Sequence, residues 1–228
     1  MSNWMLTAPA SEVTAQLEHH FVQVLAKRDA TLLPADAPRW VFLQWLAEQG
    51  WLLHGSQTGG LTELRPGRDG YGQPDEFSNT QGVYAASDGL WAMMHALRGP
   101  QVCQQSDMGL QLRQQGGTWS AMRYFLSLAT RDAYITDAHS LLAPGFVYML
   151  SRDGFYASPP YEHGGLGEVQ EAHWVSRTPA LPIMSVPVSP ADFPLPVRLH
   201  DADTVKARSR SDPWGFPWLD DGRVEGES

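Results

Sequence analysis

Trp51-Leu52-Leu53-His54-Gly55-Ser56, and 26 residues further on Gly82-Val83-Tyr84-Ala85-Ala86 with Ser87-Asp88 behind it, are the stretches that decide the fold. A short apolar run closed by His-Gly predicts a strand over 51–54, and 82–86 reads as a second one. Ser87 and Asp88 are N-cap candidates for a helix over 89–98 that stops at Gly99-Pro100. An imidazole ending a strand, beside a glycine that lets a ligand approach the backbone, is what a small-molecule pocket at a sheet edge requires.

Upstream, Val13, Leu17, Phe21, Val24 and Leu25 are spaced as one face of a helix over 11–28, with Lys27 and Arg28 where the dipole favours cations. After a Pro-containing turn over 31–38, Val41, Phe42, Trp45 and Leu46 predict a second helix over 39–49, closed by Gly50. Residues 55–81 read as a long loop around one short strand near 61–64. Downstream, 119–128 fits a helix or a strand, while 146–150 and 171–176 read as strands. Pro182 and Pro187 place a last strand, 181–188, at a sheet edge or divide it at a bulge. From Arg198 on, the charged tail reads as a solvated extension, with Trp214 and Trp218 docked back on the body or on a partner. The expectation is an α+β fold: a single domain over 1–197 with N-terminal helices in 11–49, and an extension over 198–228.

The chain has 228 residues, 43% hydrophobic and only 18% charged, enough to bury a substantial core. The net charge is -9 and the only lysines are Lys27 and Lys206, so no basic stripe of the kind that grips a phosphate backbone is present. A nucleic acid held by a few arginines in a pocket stays open. No apolar run approaches the roughly 18 residues of a membrane span. A lone cysteine, Cys103, and a start without basic and apolar signal regions point to cytoplasmic synthesis; delivery by a signal-independent route stays open.

The combination of His54-Gly55-Ser56 with Gly82-x-Tyr84 resembles the ADP-ribosyltransferase superfamily, in the branch shared by diphtheria-type toxins and poly-ADP-ribose polymerases. In that branch a second aromatic residue follows the Tyr by eleven positions; here that position is His95. The resemblance spans about 51–97 and, more loosely, the strands from 146 to 188. It implies a split, mostly antiparallel sheet holding NAD in a cleft, as substrate and without a metal. His54 would bond a ribose hydroxyl, Gly55 backbone groups would read the nicotinamide amide with Ser56 alongside, and Tyr84 and His95 would sandwich the nicotinamide ring.

Cleavage of the nicotinamide bond leaves a ribosyl cation that a carboxylate must stabilise, as in glycoside cleavage. The family places this glutamate near a Trp-x-Ser element, here Trp174-Val175-Ser176, but His173 stands immediately before it. Residues two apart in a strand share a face, so Glu171 and His173 would both look into the cleft if Trp174 looks away. Glu171 is the expected catalytic carboxylate and Glu168 the reserve. The implied activity is transfer of ADP-ribose from NAD to an acceptor macromolecule, protein or nucleic acid, with nicotinamide released; small stand-alone members are toxins, effectors or defence enzymes. Alternatives are an NAD glycohydrolase, an RNA 2′-phosphotransferase-like activity, which the lack of an arginine beside His54 disfavours, and a non-catalytic NAD- or nucleotide-binding module of the same fold.

Other residues offer less. His19 and His20 are adjacent on a helix and point apart, His163 and His173 would need distant partners to hold zinc, and Cys103 has no His nearby in sequence. Arg65, Arg68 and Tyr71 lie in the loop that related enzymes use over NAD; exposed loop side chains are the simpler reading.

Overall fold

A computed structural model describes residues 5–67 and 76–212. Arg68, Tyr71 and the 214–218 segment lie outside the described residues. The N-terminal helices form as the apolar spacing requires. Helix α1, Ala15–Lys27, starts where Thr14 accepts from the Leu17 amide, and it ends at Arg28 in the left-handed conformation. Its Phe21 ring lies 5.0 Å from Phe42 and 5.6 Å from Trp45 of α2, Arg39–Glu48. Helix α2 is buried almost all round, and Gly50, at φ 92°, turns the chain out of it.

Strand β1, Leu52–Ser56, follows, then β2, Val83–Ala86, and helix α3, Gly89–Ala96. The rest is mostly strand: β3 Gln104–Leu112, β4 Arg123–Thr130, β5 Gly145–Leu150, β6 Tyr156–Ala157, β7 Tyr161–His163, β8 Gly167–Glu171, β9 His173–Ser176, β10 Met184–Val188 and β11 Arg198–Asp201, before helix α4, Ala202–Ser211. The strands form two sheets, in the orders β10-β5-β1-β2-β9-β6 and β11-β4-β3-β8-β7. Every named pairing is antiparallel except β11 with β4. The described residues are thus α+β, with two mostly antiparallel sheets and four α-helices. No helix among the described residues is long and apolar enough to cross a membrane.

Several expectations need adjustment. Residues 198–211 are not simply a solvated extension, because β11 completes the five-stranded sheet and Ala202 and Val205 of α4 are buried. The stretch 119–128 is strand only from Arg123 on, as part of β4. The nine-residue β3 falls in a polar segment for which the sequence predicts no element. Near 61–64 there is only an isolated bridge, Leu64 to Ala180. The proline-bearing β10 is an edge strand, as Pro187 demands.

Two features position the site. Strands β1 and β2 pair only at Leu53↔Ala86, so beyond that point they part. The chain also crosses between sheets at Ala172, whose N–H bonds Gly109 of β3 and whose C=O accepts from Ser87, just after β2. Glu171 ends a strand of one sheet, and His173 begins a strand of the other.

Candidate functional site

Where β1 and β2 part, a side chain takes over from the ladder. His54 Nδ1 lies 2.7 Å from the Tyr84 carbonyl oxygen. A carbonyl can only accept, so Nδ1 carries the proton and Nε2 keeps its lone pair. Burial holds the His54 pKa below the ordinary imidazole range; the bond to Tyr84 opposes this, and the nearby charge of His95 reinforces it. A neutral imidazole with a free acceptor edge results.

The Tyr84 hydroxyl donates to the Thr80 carbonyl at 2.6 Å, with the Phe77 carbonyl 3.1 Å away. Its ring meets His173, centroids 5.0 Å apart, and the edge of Phe77 at 6.4 Å. His173 is the centre of the aromatic cluster, since Phe77 and Trp91 also lie 5.1 Å from it. Its Nδ1 is 3.5 Å from Glu171 Oε2, and Tyr161 donates its hydroxyl to Glu171 Oε1 at 2.9 Å. An unbroken series of contacts therefore joins His54, Tyr84, His173 and Glu171. Trp174 does look away, into the apolar cluster around Leu52, Val83 and Leu150, with Arg152 over its ring at 4.9 Å.

The other anticipated residues fall nearby in different ways. Gly55 is glycine because α3 lies against it: a Cβ there would sit 2.1 Å from the Ala92 oxygen and 2.5 Å from the Ala96 nitrogen. The close approach it permits is therefore that of a helix on this side. Ser56 Oγ accepts from the Thr58 amide at 3.1 Å. His95 is the single exposed residue of α3. It faces the Asp107 carboxylate, Nε2 to Oδ1 3.3 Å, with the Trp91 ring 6.2 Å away. About half of the His95 side chain is exposed, yet the packing around its ring still disfavours the cation; the charge and hydrogen bond of Asp107 outweigh this and hold the pKa above the ordinary value, against the opposing charge of Arg98. Burial likewise works against the Asp107 anion; His95, Trp91 Nε1 and Gln105 Nε2 overcome it and keep that carboxyl well below the usual range. Glu168, three positions from Glu171, projects from the opposite face of β8 and lies 3.7 Å from Arg113.

Asp88 proves to be the cap of α3, accepting from the Trp91 amide at 2.8 Å. Arg65 pairs with Glu63. The His19 and His20 rings stand 6.4 Å apart and tilted by 56°, Cys103 is exposed, and no group of three potential ligands gathers as a metal centre would need among the described residues. A cavity of about 610 Å³ lined by Leu112, Arg113, Gln114 and Arg123 shares no residue with the aromatic cluster.

Sequence reasoning gave no binding or catalytic role to His173, Trp91, Phe77 or Tyr161. The two-residue spacing from Glu171 was the available signal for His173; Tyr161 depends on a hairpin register that spacing cannot supply. Comparison of the chain with protein-family models, with curated proteins and with solved structures finds no match.

Proposed function

We propose that this protein is an ADP-ribosyltransferase-type enzyme that transfers ADP-ribose from NAD to an acceptor and releases nicotinamide. The observation that carries the reading is the contact series from His54 through Tyr84 and His173 to Glu171, at the point where β1 and β2 part. His54 Nε2 would accept from a ribose hydroxyl, and the Tyr84 ring would stack on the flat cationic nicotinamide, a contact worth roughly 0.5 to 2 kcal/mol. Glu171, held at one oxygen by Tyr161 and facing His173 with the other, would stabilise the ribosyl cation as the C–N bond breaks. A cytoplasmic toxin, effector or defence role belongs to the same proposal.

The test is nicotinamide release from NAD by the purified full chain, with Glu171→Gln alongside. The variant is expected to lose about 10²-fold or more of turnover while still binding NAD. Turnover unchanged by the substitution would take Glu171 out of the mechanism. A non-catalytic NAD-binding module is the second reading. It draws on His95, whose ring is engaged by Asp107 at the position where the resemblance expects a stacking aromatic. NAD binding without nicotinamide release would select it.

A further inference from the structure

We propose that His173 removes the acceptor's proton, that the acceptor is therefore a neutral hydroxyl group, and that Tyr161 is a positioning residue for the pair; this rests on the NAD reading above. His173 is held from several directions. The Tyr84 ring lies 5.0 Å away and the Phe77 and Trp91 rings 5.1 Å, fixing the plane of the imidazole within apolar walls. Its Nδ1 is buried and makes no hydrogen bond, and the Glu171 carboxylate stands 3.5 Å from it. A nitrogen facing a carboxylate carries its proton, which leaves Nε2 with the lone pair of a base. Contacts of this kind tighten when a substrate closes the site.

Tyr161, on the neighbouring hairpin strand, holds the other oxygen of Glu171 at 2.9 Å. The carboxylate that would meet the ribosyl cation thus also faces the base, and the two groups lie 3.5 Å apart. Such a base has a purpose only for a nucleophile that arrives protonated. In the step, the acceptor oxygen forms a bond to the anomeric carbon of the nicotinamide ribose. The bond from that carbon to the nicotinamide nitrogen breaks, its electron pair leaving with neutral nicotinamide. The hydroxyl proton passes to His173 Nε2 and then to solvent. A carboxylate acceptor would need no such transfer.

The experiment uses the full chain, NAD, and methanol or azide as acceptor probes, with nicotinamide measured by chromatography and products by mass. Wild-type protein is expected to form ADP-ribose and methyl ADP-ribose. His173→Ala should lose both by about 10²-fold with its NAD Kd unchanged. Azide, which carries no proton to remove, should restore its nicotinamide release to within about tenfold of wild type. His173→Gln, which keeps most of the packing, should behave alike. Glu171→Gln should not be rescued by azide, since the cation loses its stabiliser. Tyr161→Phe should lower kcat about tenfold for methanol and azide equally, with KM for NAD unchanged. Equal losses with methanol and azide in both His173 variants, or no loss in either, overturn the assignment of the base and leave the NAD reading standing. Absence of nicotinamide release from wild type overturns that reading, and this inference falls with it.

Discussion

His54 Nδ1 donates to the carbonyl oxygen of Tyr84 over 2.7 Å, thirty residues along the chain, where the two strands that carry them no longer pair. The imidazole thus does locally what a backbone amide would do in a continuous ladder, and it holds the gap between β1 and β2 at a fixed width. The same bond selects the tautomer, so strand geometry and the availability of Nε2 to a ligand are one feature.

His54→Ala removes the donor and leaves the Tyr84 carbonyl without it at a partly buried position. The expected cost is about 1 to 3 kcal/mol, read as a lower urea midpoint at unchanged slope. On the NAD reading, calorimetric affinity for NAD also falls about tenfold, the worth of one hydrogen bond. A stability loss with affinity intact would confine His54 to a structural role.

Gly55→Ala tests how tightly α3 is seated. The obstructing atoms are backbone, the Ala92 oxygen and Ala96 nitrogen, which cannot rotate aside, so helix or strand must shift. A loss of about 3 kcal/mol is expected, in the upper range for overpacking. Gly164→Ala is the control, because nothing lies within 4 Å of a Cβ there; its unfolding midpoint should match wild type. Similar midpoints for both variants would contradict the seating of α3 on β1.

Much of this arrangement is legible in the sequence. The helices over α1 and α2, a strand carrying His54, and Asp88 as a cap follow from local rules of spacing and capping. The strand expected over 171–176, by contrast, is broken at Ala172, so Glu171 and His173 meet across a sheet crossover rather than on one strand face. What stayed hidden depends on long-range register. Strand β3 mixes Gln104, Gln105 and Asp107 with Met108 and Leu110, because Asp107 finds its partners on α3 and within β3 rather than in solvent. The resemblance makes His95 a stacking ring, whereas its ring faces Asp107, a link set by which strand passes beneath α3. Likewise β11 reads as tail until β4 is seen to need a parallel neighbour.

The ion pair of His95 and Asp107 should leave a mark on the pH dependence of stability. His95 has a raised pKa in the folded protein, so its contribution is full below its unfolded value of about 6.5 and fades as pH climbs through the higher folded value. Asp107 is depressed, so its contribution is full above about 3.9 and fades as pH falls through the lower folded value. The two overlap between about pH 4 and 6.5. Urea unfolding of wild type and Asp107→Asn across this range should show the greatest difference inside that window, narrowing on the alkaline side. A difference constant with pH would assign the loss to the hydrogen bonds of Trp91 and Gln105 alone.

Asp88 ties the start of α3 to the second sheet. It is fully buried, accepts from the Trp91 amide at 2.8 Å, and takes the hydroxyl of the equally buried Tyr124 of β4 at 2.7 Å. Removing the carboxylate uncaps the helix, at about 1 kcal/mol, and leaves a buried hydroxyl without an acceptor, at about 1 to 3 kcal/mol. Asp88→Ala should therefore cost about 3 kcal/mol. Tyr124→Phe removes only the donor, and Trp91 still caps against Asp88, so its cost is nearer 1 kcal/mol. In the double variant no hydroxyl is orphaned. Its loss should fall short of the sum of the single losses by about 1 kcal/mol or more, measured as a coupling energy by urea unfolding. Because the Trp91 ring lies against His173, a strictly additive cycle would also weaken the case that this cap fixes the wall of the candidate site.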